Sequence, residues 1–199
     1  MLGSVDRTVV YRSADDERLE HARLRLSGAG AVADGTIVGM LAGQPLRVRH
    51  EYTCDSRWHV RNVSVEVLRT GRALISLAAD EDGTWRRVDG GILDVPLFNC
   101  FDIAVALTPL PAVLTLRRLA LEPREVRIVN VASITIPELD VRLIEHRYTF
   151  LAVDAHTRRY RWENFDSGER SVITLDADGV VTAYDRCARL AGGSAQPRP

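Results

Sequence analysis

Lysine is absent from this 199-residue chain, and all 26 of its basic side chains are arginine. That absence reads as a high-GC coding bias and carries no functional signal. A basic excess is missing as well, because 27 Asp and Glu leave a net charge of -1. Nucleic-acid binders draw much of their affinity from phosphate contacts, so the balance argues against nucleic acid as a partner. Cysteine is scarce. Cys54, Cys100 and Cys187 are odd in number and widely spaced, which speaks against a disulfide framework and for reduced thiols in the cytoplasm. Long apolar runs are also missing. The most apolar stretch, Ile103 to Leu116, is broken by Pro109 and Pro111 and is too short to span a bilayer. The opening MLGSVDRTVV carries Asp6 and Arg7 and no apolar core, so no secretory signal is expected there.

Signatures of chemistry are equally thin. There is no CxxC, HExxH, GxSxG, GxGxxG or GxxxxGK[ST] in the sequence. His50, Cys54 and His59 are metal-ligand types, but strand parity puts His59 on the opposite face from the other two. No metal, cofactor or catalytic residue is assigned on this reading.

What is present belongs to a β protein. A length of 199 residues and 46% hydrophobic content describe one domain able to bury roughly 70% of its unfolded surface. That domain is expected over residues 1–190, with 191–199 a frayed tail of small and polar residues. Asp34-Gly35, Asp82-Gly83, Asp89-Gly90 and Asp178-Gly179 suit type I′ hairpin turns. Strands are expected at Val9–Arg12, Thr36–Leu41, Leu46–Cys54, Trp58–Leu68 and Leu74–Ala79. Further strands follow at Val126–Ile136, Val141–Val153, Arg158–Phe165, Val172–Asp176 and Val180–Asp185. Ser13 and Asp16 form a capping-box pattern ahead of Leu19, Ala22 and Leu26, but the β surroundings favour a strand over Glu20–Leu26. A second short helix is allowed within Val95–Ala106.

An internal echo runs through the chain. RHEYT at 49–53 returns as EHRYT at 145–149, so His146 follows His50 by 96 positions, as Gly179 follows Gly83. Such an offset suggests two similar sheet halves made by duplication. Within Leu46–Cys54, strict alternation places Leu46, Val48, His50, Tyr52 and Cys54 on one face. His146 and Tyr148 stand likewise beside Ile144. In a curved sheet that face points inward. The inward pairs are then either core residues with bonded polar tips or the contacts of a ligand cavity. Arg158, Arg159 and Arg161 alternate with Tyr160 and Trp162, a pattern given by one solvated and one packed strand face.

Residues 88–121 carry a resemblance. Cys100, Asp102, Thr108-Pro109 and Arg117-Arg118-Leu119 resemble, in order and spacing, the signature of the putative glycolipid-binding family, bacterial single-domain β proteins. Tyr52 to Arg61 (YTCDSRWHVR, with Trp58), Arg147-Tyr148, Arg159–Trp162 and the hairpin at Asp178-Gly179 with Tyr184 are similar to other parts of that pattern. The chain departs from it at Asn99, at Leu110–Val113 and at Tyr11, which points to a different or more apolar ligand. The resemblance implies an all-β antiparallel barrel or half-barrel, like the curved sheet of lipoprotein carriers, with few or no helices. It implies a non-catalytic protein holding a lipid or glycolipid. The candidate ligand-binding residues are His50, Tyr52, Trp58, Asp102, Arg117, Arg118, His146, Tyr148, Tyr160 and Trp162. Read as strand neighbours, Arg117 and Arg118 would point to opposite faces, so one of them at most would meet an anionic headgroup. The alternatives are an enzyme, a hydrolase or isomerase of hydrophobic substrates using Asp102 with His50 or His146, and an interaction module. A homodimer fits the last of these.

Overall fold

A computed structural model of the chain describes residues 4–69, 71–185 and 188–195; Cys187 lies outside them. Seven strands come first: β1 (Val5–Ser13), β2 (Arg18–Ser27), β3 (Gly30–Leu41), β4 (Gln44–Cys54), β5 (Val60–Leu68), β6 (Arg72–Ala79) and β7 (Trp85–Arg87). A loop leads to β8 (Asp102–Val105) and the helix α1 (Leu110–Leu119). The chain then continues through β9 (Val126–Ile134), β10 (Val141–Val153), β11 (Thr157–Asn164), β12 (Arg170–Asp176), β13 (Val181–Tyr184) and β14 (Ala188–Ala195).

All fourteen strands form one sheet, in the order β7-β6-β5-β4-β3-β2-β1-β14-β13-β12-β11-β10-β9-β8. Neighbours are antiparallel except β8 and β9, which run parallel. A twisted sheet this wide curls upon itself, and here one face becomes the inside. Leu46, Val48, His50, Tyr52 and Cys54 of β4 are buried, while Arg47, Arg49 and Glu51 between them are exposed. The two ends of the sheet are linked by the segment between β7 and β8. Trp85 N donates to Leu97 O, Cys100 N to Gly83 O, and Val60 N to Phe101 O at 3.0 Å. One residue further on, Asp102 already pairs with Val131 of β9. Gly83 is required there twice over, by a φ of +73° and because a Cβ would meet Cys100 N at 2.8 Å.

The echo of 96 residues holds element by element. The strands β3 to β7 begin at 30, 44, 60, 72 and 85; shifted by 96 these become 126, 140, 156, 168 and 181. The strands β9 to β13 begin at 126, 141, 157, 170 and 181. The hairpin turns repeat too. Asp80 Oδ1 accepts from the N–H groups of Asp82 and Thr84, and Asp176 Oδ1 from those of Asp178 and Val180.

Four expectations need correction. Asp34-Gly35 is no turn but lies inside β3. The other three Asp-Gly pairs do sit in turns, but positive φ is found at Gly83, Gly90 and Gly179 and at none of the preceding Asp residues, so they are not type I′. The helix falls at Leu110–Leu119 and not within 95–106, which puts Arg117 and Arg118 on a helix. Its first turn accepts Pro111 because the N–H groups there have no intrahelical partner. Being apolar nearly all round, it shows no amphipathic stripe to a reader of the sequence. Lastly, of the tail expected over 191–199, the part up to Ala195 belongs to β14 and pairs with β1, with Gly193 opposite Val9, while 196–199 lie outside the described residues.

Helix α1 lies in the hollow of the sheet. Eight of its ten residues, Leu110 to Arg117, are buried. It is held from far-apart parts of the sheet: Thr108, just ahead of it, by Glu20 of β2, Thr115 by Tyr148 of β10, and Arg117 by Trp58 before β5 and the Asp178 carbonyl in the turn between β12 and β13.

Candidate functional site

The helix fills part of the hollow and leaves a cavity of about 300 Å³ beside its first turn. One wall is aromatic. His146 and Tyr148 of β10 face inward, and register sets them directly across from Asn164 and Trp162 of β11. Their rings meet edge to face, His146 on Trp162 at 4.9 Å and Trp162 on Tyr184 of β13 at 5.8 Å. The facing wall is aliphatic, made by β8 and the segment after it with Pro111 and Ala112 of α1. Polar groups collect toward one end: Arg18, Ser133, Thr135, Asn164 and Glu169. Arg18 is held there by Asp15 Oδ2 at 2.6 Å and the Met40 carbonyl at 2.8 Å. Asp15 is itself lowered to about 2, chiefly by the hydroxyl of Ser13. Burial pushes the Tyr148 phenol well above its ordinary range, against a hydrogen bond with Thr115, so it stays a neutral hydroxyl.

Three of the ten residues expected at a site, His146, Tyr148 and Trp162, line this cavity. The other seven do not, and the structure gives each a partner or a place. His50 and Tyr52 are buried on β4, their rings 5.4 Å apart. His50 Nε2 lies 3.1 Å from Glu20 Oε1, and the same carboxylate oxygen accepts from Thr108 Oγ1 at 2.8 Å. Asp102 is 1% exposed and lies behind Tyr148, gripped through both oxygens by Arg118, with Nε to Oδ1 at 3.0 Å. Arg117 donates to the Asp178 carbonyl and lies 5.0 Å over the Trp58 ring. Burial lowers this arginine to about 10. Tyr160 stacks on Phe150 at 4.8 Å, and burial raises its phenol. The cations read as headgroup contacts therefore hold the C-terminal end of α1 in place, where they also complement the negative end of the helix dipole.

Sequence reasoning missed Glu20, Thr108 and Tyr184. Glu20 had a signal, since it shares strand parity with Ala22, Leu24 and Leu26, all buried. An acid on an apolar face needs a partner. Thr108 stood in the family-like signature, but nothing marked its contact with Glu20, which joins positions 88 residues apart.

Among the described residues no group of three or more His, Cys, Asp or Glu is placed to hold a metal ion. No described helix is long and apolar enough to cross a membrane.

Comparison with known proteins gives a family and a fold. The family described as "Putative glycolipid-binding" matches residues 8–189. A crystal structure of a DUF1089 family protein from Pseudomonas aeruginosa is 27% identical, with a TM-score of 0.70 over 83% of this chain and 88% of that one. A β-barrel-like protein from Brucella abortus, of the domain of unknown function DUF1849, is 8% identical with a TM-score of 0.63. That match covers 99% of this chain and 100% of that one, and it shows the fold alone. No curated protein matches.

Proposed function

Because the chain belongs to the putative glycolipid-binding family, we propose that it binds a small amphiphile, a lipid or glycolipid, in the cavity beside α1, and that it does so without turnover. The observation that carries this reading is the cavity's two-sided chemistry: an aliphatic wall facing an aromatic one, with polar groups gathered toward one end. That arrangement suits a ligand with an apolar body and a polar tip. Each buried CH₂ contributes roughly 0.8 kcal/mol, set against the cost of association, so the apolar body supplies affinity that grows with chain length.

Of the groups the enzyme alternative would use, Asp102 and His50 are engaged elsewhere. Asp102 is committed to Arg118, and His50 faces Glu20. A cytoplasmic location belongs to the same proposal, supported by Cys54 and Cys100 as buried free thiols.

Native mass spectrometry of the chain purified without detergent, followed by solvent extraction, tests the reading. A co-purifying amphiphile near one per chain, lost in a Trp162→Ala variant that still folds, is the expected result. Turnover of a lipid ester or glycoside with loss of activity in a His146 variant would replace the carrier by an enzyme.

A further inference from the structure

The two halves share a fold but not an outer surface. Glu51 on β4 and Arg147 on β10 are matched by the offset of 96 and both lie between inward-facing neighbours. Glu51 stands opposite Asp34 and Ser64, whereas Arg147 stands opposite Ile128 and Glu163. One place along, Thr53 is flanked by Val32 and Asn62, and Thr149 by Val126 and Arg161. Where the first half presents acids and an amide, the second presents arginines and aliphatic side chains. Val126, Ile128 and Leu151 are exposed there, Ile128 at 53%, and Arg159 and Arg161 are exposed on the same face of β11. Glu163 is taken up by Arg147 at 3.3 Å and Arg170 at 3.0 Å, and Glu145 and Asp185 stand at the margins. Among the described residues neither Arg159 nor Arg161 is in an ion pair with any of these acids. At one end Arg147 lies 4.8 Å over the ring of Phe165, which is exposed and follows Asn164 of the cavity wall. The face therefore runs to the polar end of the cavity.

We propose that this outer face of β9 to β11 docks on an anionic membrane surface, its arginines meeting lipid phosphates and its aliphatic side chains entering the headgroup boundary. Guanidinium forks suit phosphate, and apolar side chains set among basic ones are what a protein lying on a bilayer presents to it. The proposal goes beyond the ligand-binding reading and does not depend on it. A single-stranded nucleic acid would need exposed rings to stack on, and the aromatic residues of β11, Tyr160 and Trp162, are buried. The segment between β7 and β8 exposes an apolar side chain more fully, Ile92 at 90%. It carries Asp89 and Asp94 and no arginine, so its charge opposes an anionic surface.

The test is flotation of the unaltered chain with vesicles of phosphatidylcholine alone and of phosphatidylcholine mixed with phosphatidylglycerol. The chain should float with the mixed vesicles only, and added salt should release it. Replacing both exposed arginines, Arg159→Gln with Arg161→Gln, should weaken binding about thirty-fold, or roughly 1 kcal/mol for each cation at the surface. Circular dichroism checks that this variant keeps its fold. Ile128→Ser should weaken binding as well, and Ile92→Ser should leave it unchanged. Equal binding to the two kinds of vesicle, or binding to neither, overturns the proposal. So does a loss through Ile92→Ser with the arginine variant unaffected. Tighter binding to a single-stranded oligonucleotide than to the mixed vesicles at the same salt would make the face a nucleic-acid surface instead. None of these outcomes bears on the cavity's ligand, which the extraction experiment decides.

Discussion

Gly35 sits in mid-strand opposite His50 without a positive φ, and a Cβ there would lie 2.5 Å from the imidazole, so what it supplies is space for that ring and not backbone freedom. Gly35→Ala forces the imidazole away from Glu20 and should cost about 1–3 kcal/mol, the usual range for overpacking. Urea denaturation measures it, and an unchanged midpoint would show that the ring has slack. Glu20→Ala removes the acceptor of the Thr108 hydroxyl and the partner of a wholly buried imidazole. A loss of about 1–3 kcal/mol is expected, again by urea denaturation. At this scale the sequence was half legible. Strand parity placed His50, Tyr52, His146 and Tyr148 on the inner face, and the same parity exposes Glu20 to a careful reader. That His50 would meet Glu20 was not legible, because that acid arrives from another strand.

The helix is the element least visible beforehand and the one that shapes the cavity. Its last turn is fixed by Arg118 on Asp102, whose side chains are 18% and 1% exposed. The asymmetry makes a directional prediction. Arg118→Ala strands a buried carboxylate and should cost about 3–5 kcal/mol. Asp102→Ala leaves an arginine that still reaches solvent and should cost less, and the double variant should be no worse than Arg118→Ala alone. Equal losses for the two single variants in denaturant titrations would show that Asp102 is solvated in a way its burial denies. Strands were easier to place than this helix because alternation marks a half-buried strand, whereas a helix packed on nearly every side has no polar face to mark its period. Pro109 and Pro111, which break an apolar run in the sequence, turn out to open the helix.

For the molecule as a whole, charge pairing on the outer surface sets the response to acid. The Arg87 guanidinium holds Asp89 at about 2, and the Ser13 hydroxyl holds Asp15 at about 2, both from an ordinary 3.8. A carboxylate lowered by folding stabilises the fold above its ordinary range, and that contribution is lost as pH falls through the folded value. Thermal melting should therefore fall between 3.8 and about 2, beyond a first step below 6.5 set by His59, whose imidazole is lowered by burial. A melting temperature that stays level below 3.8 would show that folding does not hold the two carboxylates low.

The sequence by itself determined the β class, the positions of most strands, their inner and outer faces, and the repeat of 96 residues. These follow from local alternation and turn chemistry, which neighbouring residues carry among themselves. Only the tertiary structure decided that a helix occupies the hollow, that Arg117 and Arg118 anchor it, and that one His–Tyr pair is met by Glu20 while the other borders a cavity. Those outcomes depend on contacts such as Thr108 with Glu20, 88 positions apart, which exist only once the sheet has curled and brought its far strands together.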